Sequence, residues 1–176
     1  MKVPYYNLYS AVWELTQSCN MRCLHCGSYA TGKRPNELTT EEALDLCDQL
    51  SALGLKYITL SGGEPLLRPD WDLIAERLIR NSVRISLITN GYFIKKNIDK
   101  FLRLKTYIEK VAVSIDGIRE THDYIRQTEG AFHRGLEGLQ ILRRIGISTA
   151  VITSVSRWNL HELEELEIEL MKRKVL

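Results

Sequence analysis

Cys19-Asn20-Met21-Arg22-Cys23-Leu24-His25-Cys26 puts three thiols within eight residues at a C-x3-C-x2-C spacing. A loop so built wraps a single metal centre. Structural zinc takes four protein ligands, whereas an iron-sulfur cluster can be held through three of its irons, with the fourth open to a ligand that is not protein. The stretch therefore reads first as a three-cysteine cluster site, with structural zinc and plain buried or redox cysteines as the alternatives. Immediately before it, Ala11–Thr16 (Ala-Val-Trp-Glu-Leu-Thr) mixes aromatic, branched and alternating polar residues as a strand does. The cysteine loop leaves from that strand's C-terminal end.

The same arrangement recurs downstream. Gly27–Glu37 has the Gly, Ser, Thr, Pro and Asn content of a surface connection, and Thr39-x-x-Glu42 is a capping box for a helix. Ala43, Leu46, Cys47, Leu50 and Leu53 then recur at helical spacing, with Gly54 placed to end it. Cys47 lies on that apolar face and reads as a small buried side chain rather than a fourth ligand. Tyr57–Leu60 is a short apolar strand running straight into Ser61-Gly62-Gly63-Glu64-Pro65. Pro69 and Asp70 open a helix with Trp71, Ile74, Leu78 and Ile79 inward. Ile85–Thr89 is a third strand, followed by an Asn90-Gly91 turn and a helix with Ile94, Ile98, Phe101 and Leu102 inside. Lys95, Lys96, Lys100 and Arg103 form its solvated face.

Val111–Ile115 is the fourth strand and ends in Asp116-Gly117, which reads first as a turn. A longer connection, Ile118–Gly130, contains a short helical turn at His122–Arg126. Phe132, Leu136, Leu139, Leu142 and Ile145 mark an amphipathic helix stopped by Gly146, and Ile147–Val155 is the fifth strand. Asn159-x-x-Glu162 caps a last helix with Leu160, Leu163, Leu166 and Leu170 on one side and Lys172, Arg173 and Lys174 near its end.

Strands alternating with helices, none joined by a two-residue hairpin, predict a parallel sheet with crossover helices. A closed eight-unit barrel takes about 250 residues. The expected fold is therefore α/β, an open partial TIM-type barrel of about five βα units in one domain of 176 residues. In such a barrel the working residues collect beyond the strand C-terminal ends. The cysteine loop, the Gly-Gly-Glu-Pro loop, Thr89-Asn90-Gly91 and Ser114–Gly117 all fall there. An uncovered parallel edge is a template for another chain, so a dimer through the open edge is expected.

Composition narrows the setting. With 24 basic and 22 acidic residues the net charge of +2 gives no reason to expect nucleic acid. No run approaches the roughly 20 apolar residues of a membrane span, and Met1–Ser10 lacks the core of a secretory signal. Four cysteines, three of them crowded into one loop, are not a dispersed disulfide framework, which points to a reducing cytoplasm.

The cysteine spacing, together with Leu60-Ser61-Gly62-Gly63-Glu64-Pro65 at the following strand end, resembles the radical S-adenosylmethionine (radical SAM) superfamily and its GGEP motif. His25 stands where Tyr or Phe is more usual. The resemblance implies a 4Fe-4S cluster on Cys19, Cys23 and Cys26, with S-adenosyl-L-methionine at the open iron. It implies reductive cleavage to methionine and a 5'-deoxyadenosyl radical that takes hydrogen from a substrate. It further implies cofactor contacts from His25 (adenine), Gly62 and Gly63 (close backbone approach to the methionine part), Glu64 (ammonium), Thr89, and the pair Ser114 and Arg126 (ribose or carboxylate). Relatives of this kind have six units and usually continue, so the chain is expected to be a core domain incomplete at its C-terminal end.

Trp13-Glu14-Leu15-Thr16 and Leu60–Pro65 look like the branch that carries cysteine-rich SPASM or twitch extensions; here no cysteine follows Cys47. The implied substrate is a peptide or protein, with a tetrapyrrole or other cofactor precursor as the alternative and a flavodoxin- or ferredoxin-type electron donor. A non-catalytic cluster- or zinc-binding fragment is the reading from a different class.

Overall fold

In the computed structural model, which describes residues 8–175, strands and helices alternate along the chain. The strands are β1 (Ser10–Glu14), β2 (Tyr57–Ser61), β3 (Arg84–Thr89), β4 (Ile108–Ser114) and β5 (Thr149–Ile152). The helices are α1 (Thr40–Ala52), α2 (Trp71–Arg80), α3 (Ile98–Leu104), α4 (Arg119–Arg126), α5 (Ala131–Arg144) and α6 (Leu163–Lys172). Most of the stretch read for a secretory signal lies outside the described residues.

All neighbouring strands pair in parallel in the order β1-β2-β3-β4-β5, so the sheet is open, as its sequence pattern predicts. Trp13, Leu60, Leu87, Val111 and Thr149 lie in one row across it. Every strand therefore ends at the same rim. Beneath that rim, Ile58, Leu60, Ile85, Leu87, Val111 and Val113 are buried in one cluster with Trp71, Ile74 and Leu78 of α2. Trp71 meets Phe101 at 5.2 Å between ring centroids and donates its indole N–H to Asn97 Oδ1 at 3.0 Å. Its polar atom is satisfied while its ring fills the core.

The capping box at α1 forms: Glu42 N donates to the Thr39 hydroxyl at 3.2 Å and Thr39 N donates to the Glu42 carboxylate at 2.8 Å. Cys47 is fully buried, and burial pushes its thiol up to about 12, as suits a packing residue. Among the described residues no helix is long and apolar enough to cross a membrane.

Several details differ from the sequence reading. Leu102 is exposed and Leu104 takes the inward place, because residues Lys95–Asn97 form a 3-10 turn that rotates the following helix. The segment read as a turn at His122–Arg126 is a full helix from Arg119. β5 is shorter than expected, because Thr153 and Ser154 leave the sheet to bond Ile115 O (2.7 Å) and Asp116 Oδ1 (3.0 Å). Asn159 and Glu162 do not form a capping box. The Asn159 amide donates to Asp116 O (2.6 Å) and Ser154 O (2.9 Å), while Glu162 accepts from Ile118 N and the Thr121 hydroxyl, both at 3.0 Å. These side chains brace the β4 loop across the chain instead of starting their own helix.

Candidate functional site

The cysteine loop is fastened to the β2 loop through backbone hydrogen bonds. Leu15 N donates to Ser61 O (2.9 Å), Gly63 N to Thr16 O (2.8 Å) and Glu64 N to Ser18 O (2.8 Å). This approach is what requires the glycines. A Cβ on Gly62, whose φ is +148°, would lie 2.5 Å from Thr16 O, and one on Gly63 would lie 2.5 Å from Ser18 O. The chain's own backbone makes this close approach, and both glycines also line the cavity described below. Glu37 secures the same junction by accepting from the Thr16 hydroxyl (2.9 Å) and Gln17 N (2.7 Å).

On its other side the loop is held by α4 and by the residue that follows β3. Leu24 N donates to Ile125 O at 2.9 Å, and Asn90 Nδ2 donates to Asn20 Oδ1 at 2.9 Å. Asp116 is fully buried; its Oδ2 lies 2.8 Å from His25 Nε2 and 2.7 Å from Arg126 Nε, and its Oδ1 accepts from Ser154 N. Burial pushes this carboxyl up, but Arg126 and His25 outweigh it and hold the group below the usual carboxylate range. Arg126 also donates through Nη1 to Cys23 Sγ at 3.7 Å. Burial raises the Cys23 thiol, and the guanidinium opposes that rise. His122, fully buried, accepts Asp116 N–H at Nδ1 (2.9 Å); burial pushes it down to about 4, so it is neutral.

Cys19, Cys23 and Cys26 share one cavity of about 260 Å³ with His25, Gly62 and Gly63. Thr89, Ser114 and Arg126 complete its wall. Glu64, expected at the ammonium group, is not on that wall. Its carboxylate is fully buried and accepts from Leu66 N (3.1 Å), the Thr89 hydroxyl (2.7 Å) and Asn90 N (2.8 Å). Burial pushes its pKa up to about 7 against those donors. The sequence reading missed Ser154, and it placed Asn90 and Asp116 on the rim without giving either a role, because Asp-Gly after a strand also describes an ordinary turn. The available signal was His122 and Arg126 on the helix that follows Asp116.

The donor set suits an iron-sulfur cluster. Three thiols line one cavity, and a cluster held through three of its irons needs three such ligands.

Residues 13–168 match the family model of the radical SAM superfamily. The chain is 41% identical over 153 residues to the AdoMet-dependent heme synthase of Methanosarcina barkeri, covering 86% of this chain and 44% of that protein. It is 35% identical over 156 residues to the mycofactocin maturase MftC of Mycobacterium tuberculosis, covering 87% of this chain and 39% of that protein. The chain thus spans less than half the length of these relatives. Streptococcus suis SuiB bound to S-adenosylmethionine shares the fold, with a TM-score of 0.80 at 16% identity over 96% of this chain and 39% of that one. The family's cofactors are a 4Fe-4S cluster and S-adenosylmethionine, and the cavity offers thiols for the first beside glycine backbone and a cation for the second. On the matched residues, the parallel sheet and the three-thiol cavity, the chain belongs to the radical SAM superfamily of enzymes.

Proposed function

We propose that this chain is the core of an enzyme that cleaves S-adenosylmethionine reductively and directs the product radical at a peptide or protein substrate. The observation that carries the reading is the meeting of Cys19, Cys23 and Cys26 with Gly62 and Gly63 on a single cavity. A 4Fe-4S cluster held by Cys19, Cys23 and Cys26 would supply the electron for reductive cleavage of S-adenosylmethionine.

The chain's own residues bind and orient. The cysteine thiolates hold the metal; Gly62 and Gly63 expose backbone to the methionine part; Ser114 and Arg126 meet the ribose or carboxylate. His25 brings its ring to the adenine, and Thr89, whose hydroxyl donates to Glu64, borders the cofactor. The electron donor is of the flavodoxin or ferredoxin type, and the exposed Ile152 and Val155 beside the β5 edge favour association through that edge.

Peptide chemistry is favoured by the likeness to MftC and by the fold shared with SuiB, one structure of which holds its precursor peptide SuiA. A tetrapyrrole substrate is the second reading, favoured by 41% identity to a heme synthase. To test the function, the chain is reconstituted with iron and sulfide without oxygen, reduced, and given S-adenosylmethionine. 5'-Deoxyadenosine is expected from the parent and from none of Cys19→Ala, Cys23→Ala or Cys26→Ala. Iron-loaded protein without cleavage would contradict the reading. Deuterium transfer into 5'-deoxyadenosine from a labelled peptide, and not from a labelled porphyrin, separates the two substrate classes; the reverse result establishes the second.

A further inference from the structure

We propose that Asp116 is a positioning residue that sets how much of the Arg126 charge reaches the Cys23 sulfur, and with it the reduction potential of the cluster. The inference rests on the proposed cluster site. Asp116 touches neither the cavity nor a thiol, yet two cavity-lining side chains from different elements converge on it.

A carboxylate with no exposure is costly unless cations or N–H groups compensate it. Here the compensation comes from His25 on the cysteine loop, Arg126 on α4 and Ser154 N beyond β5. An ionised carboxylate only accepts, so His25 Nε2 carries the hydrogen between them. The guanidinium is divided: Nε lies 2.7 Å from Asp116 Oδ2 as an ion pair without hydrogen-bond alignment, while Nη1 donates to Cys23 Sγ at 3.7 Å. The Leu24 N to Ile125 O bond ties the residues preceding His25 and Arg126 to each other, which fixes this spacing.

Positive charge and hydrogen bonds at cluster sulfurs raise the potential of an iron-sulfur centre. A counter-charge on the same guanidinium damps that effect. Asp116 therefore lets Arg126 stand beside the cluster for binding while keeping the cluster a strong reductant.

The test is an EPR-monitored redox titration of the reconstituted full chain without S-adenosylmethionine. Asp116→Asn is expected to move the midpoint potential upward and Arg126→Gln to move it downward. The Asp116→Asn shift should shrink when Arg126→Gln is already present. A loaded Asp116→Asn protein with an unchanged potential, or a shift of equal size in both backgrounds, overturns the inference. Should Asp116→Asn fail to assemble a cluster, Arg126→Gln alone decides, and an unshifted potential there overturns it. A parent chain that takes up no cluster overturns the proposed function and this inference with it; a loaded parent with unresponsive variants overturns the inference alone.

Discussion

Gly63→Ala is expected to lower stability by about 3 kcal/mol and to strip the cysteine loop of iron, although no cysteine is altered. The added methyl would lie 2.5 Å from Ser18 O and 2.8 Å from Gln17 O. Both atoms are backbone, so no side chain can rotate away. Relief requires Gly63 N and Glu64 N to release Thr16 O and Ser18 O, the bonds that lace the loop to β2. With them loosened, the thiols lose their common cavity. Urea denaturation and iron and sulfide content after reconstitution are the measurements; a variant as stable and as fully loaded as the parent would refute this account of the glycines.

Glu64→Ala is expected to cost about 3 kcal/mol at pH 5, because Leu66 N, Asn90 N and the Thr89 hydroxyl lose one buried acceptor together. The dependence on pH follows from its raised pKa. The folded protein holds the Glu64 proton up to about 7 while the unfolded chain releases it near 4.5, so this group's contribution is complete below 4.5 and is lost as pH rises through 7. The deficit of the variant should narrow over that window. Denaturation at pH 5 and pH 8, beside S-adenosylmethionine binding to the loaded protein, separates two roles. A variant of unchanged stability that binds the cofactor poorly would make Glu64 a direct ligand of the ammonium group; a destabilised one makes it the support of Thr89 and Asn90.

The order of elements and the common rim were legible in the sequence, because hydrophobic periodicity and capping are local. Thr39 and Glu42 form their capping box with partners three residues apart. Asn159 and Glu162 carry the same local signal and are used otherwise, since the β4 loop offers them carbonyl and N–H partners that only the fold brings near. The cavity residues were legible as types at strand ends. What held them was not. The contacts of Asp116 join residues 91 positions apart at His25 and 38 apart at Ser154, and no pattern in one dimension carries them. Gly62 and Gly63 were marked as places of close approach to a cofactor, and the sequence did not show that the chain's own carbonyls also approach them.

The central claim is that Cys19, Cys23 and Cys26 hold a cluster with one iron left for S-adenosylmethionine. The EPR spectrum of the reduced, reconstituted chain tests it most directly, recorded before and after that ligand is added. The account predicts a reduced 4Fe-4S signal that changes on addition and is missing from each cysteine variant. A cluster spectrum indifferent to S-adenosylmethionine, or one that survives loss of these thiols, would contradict it.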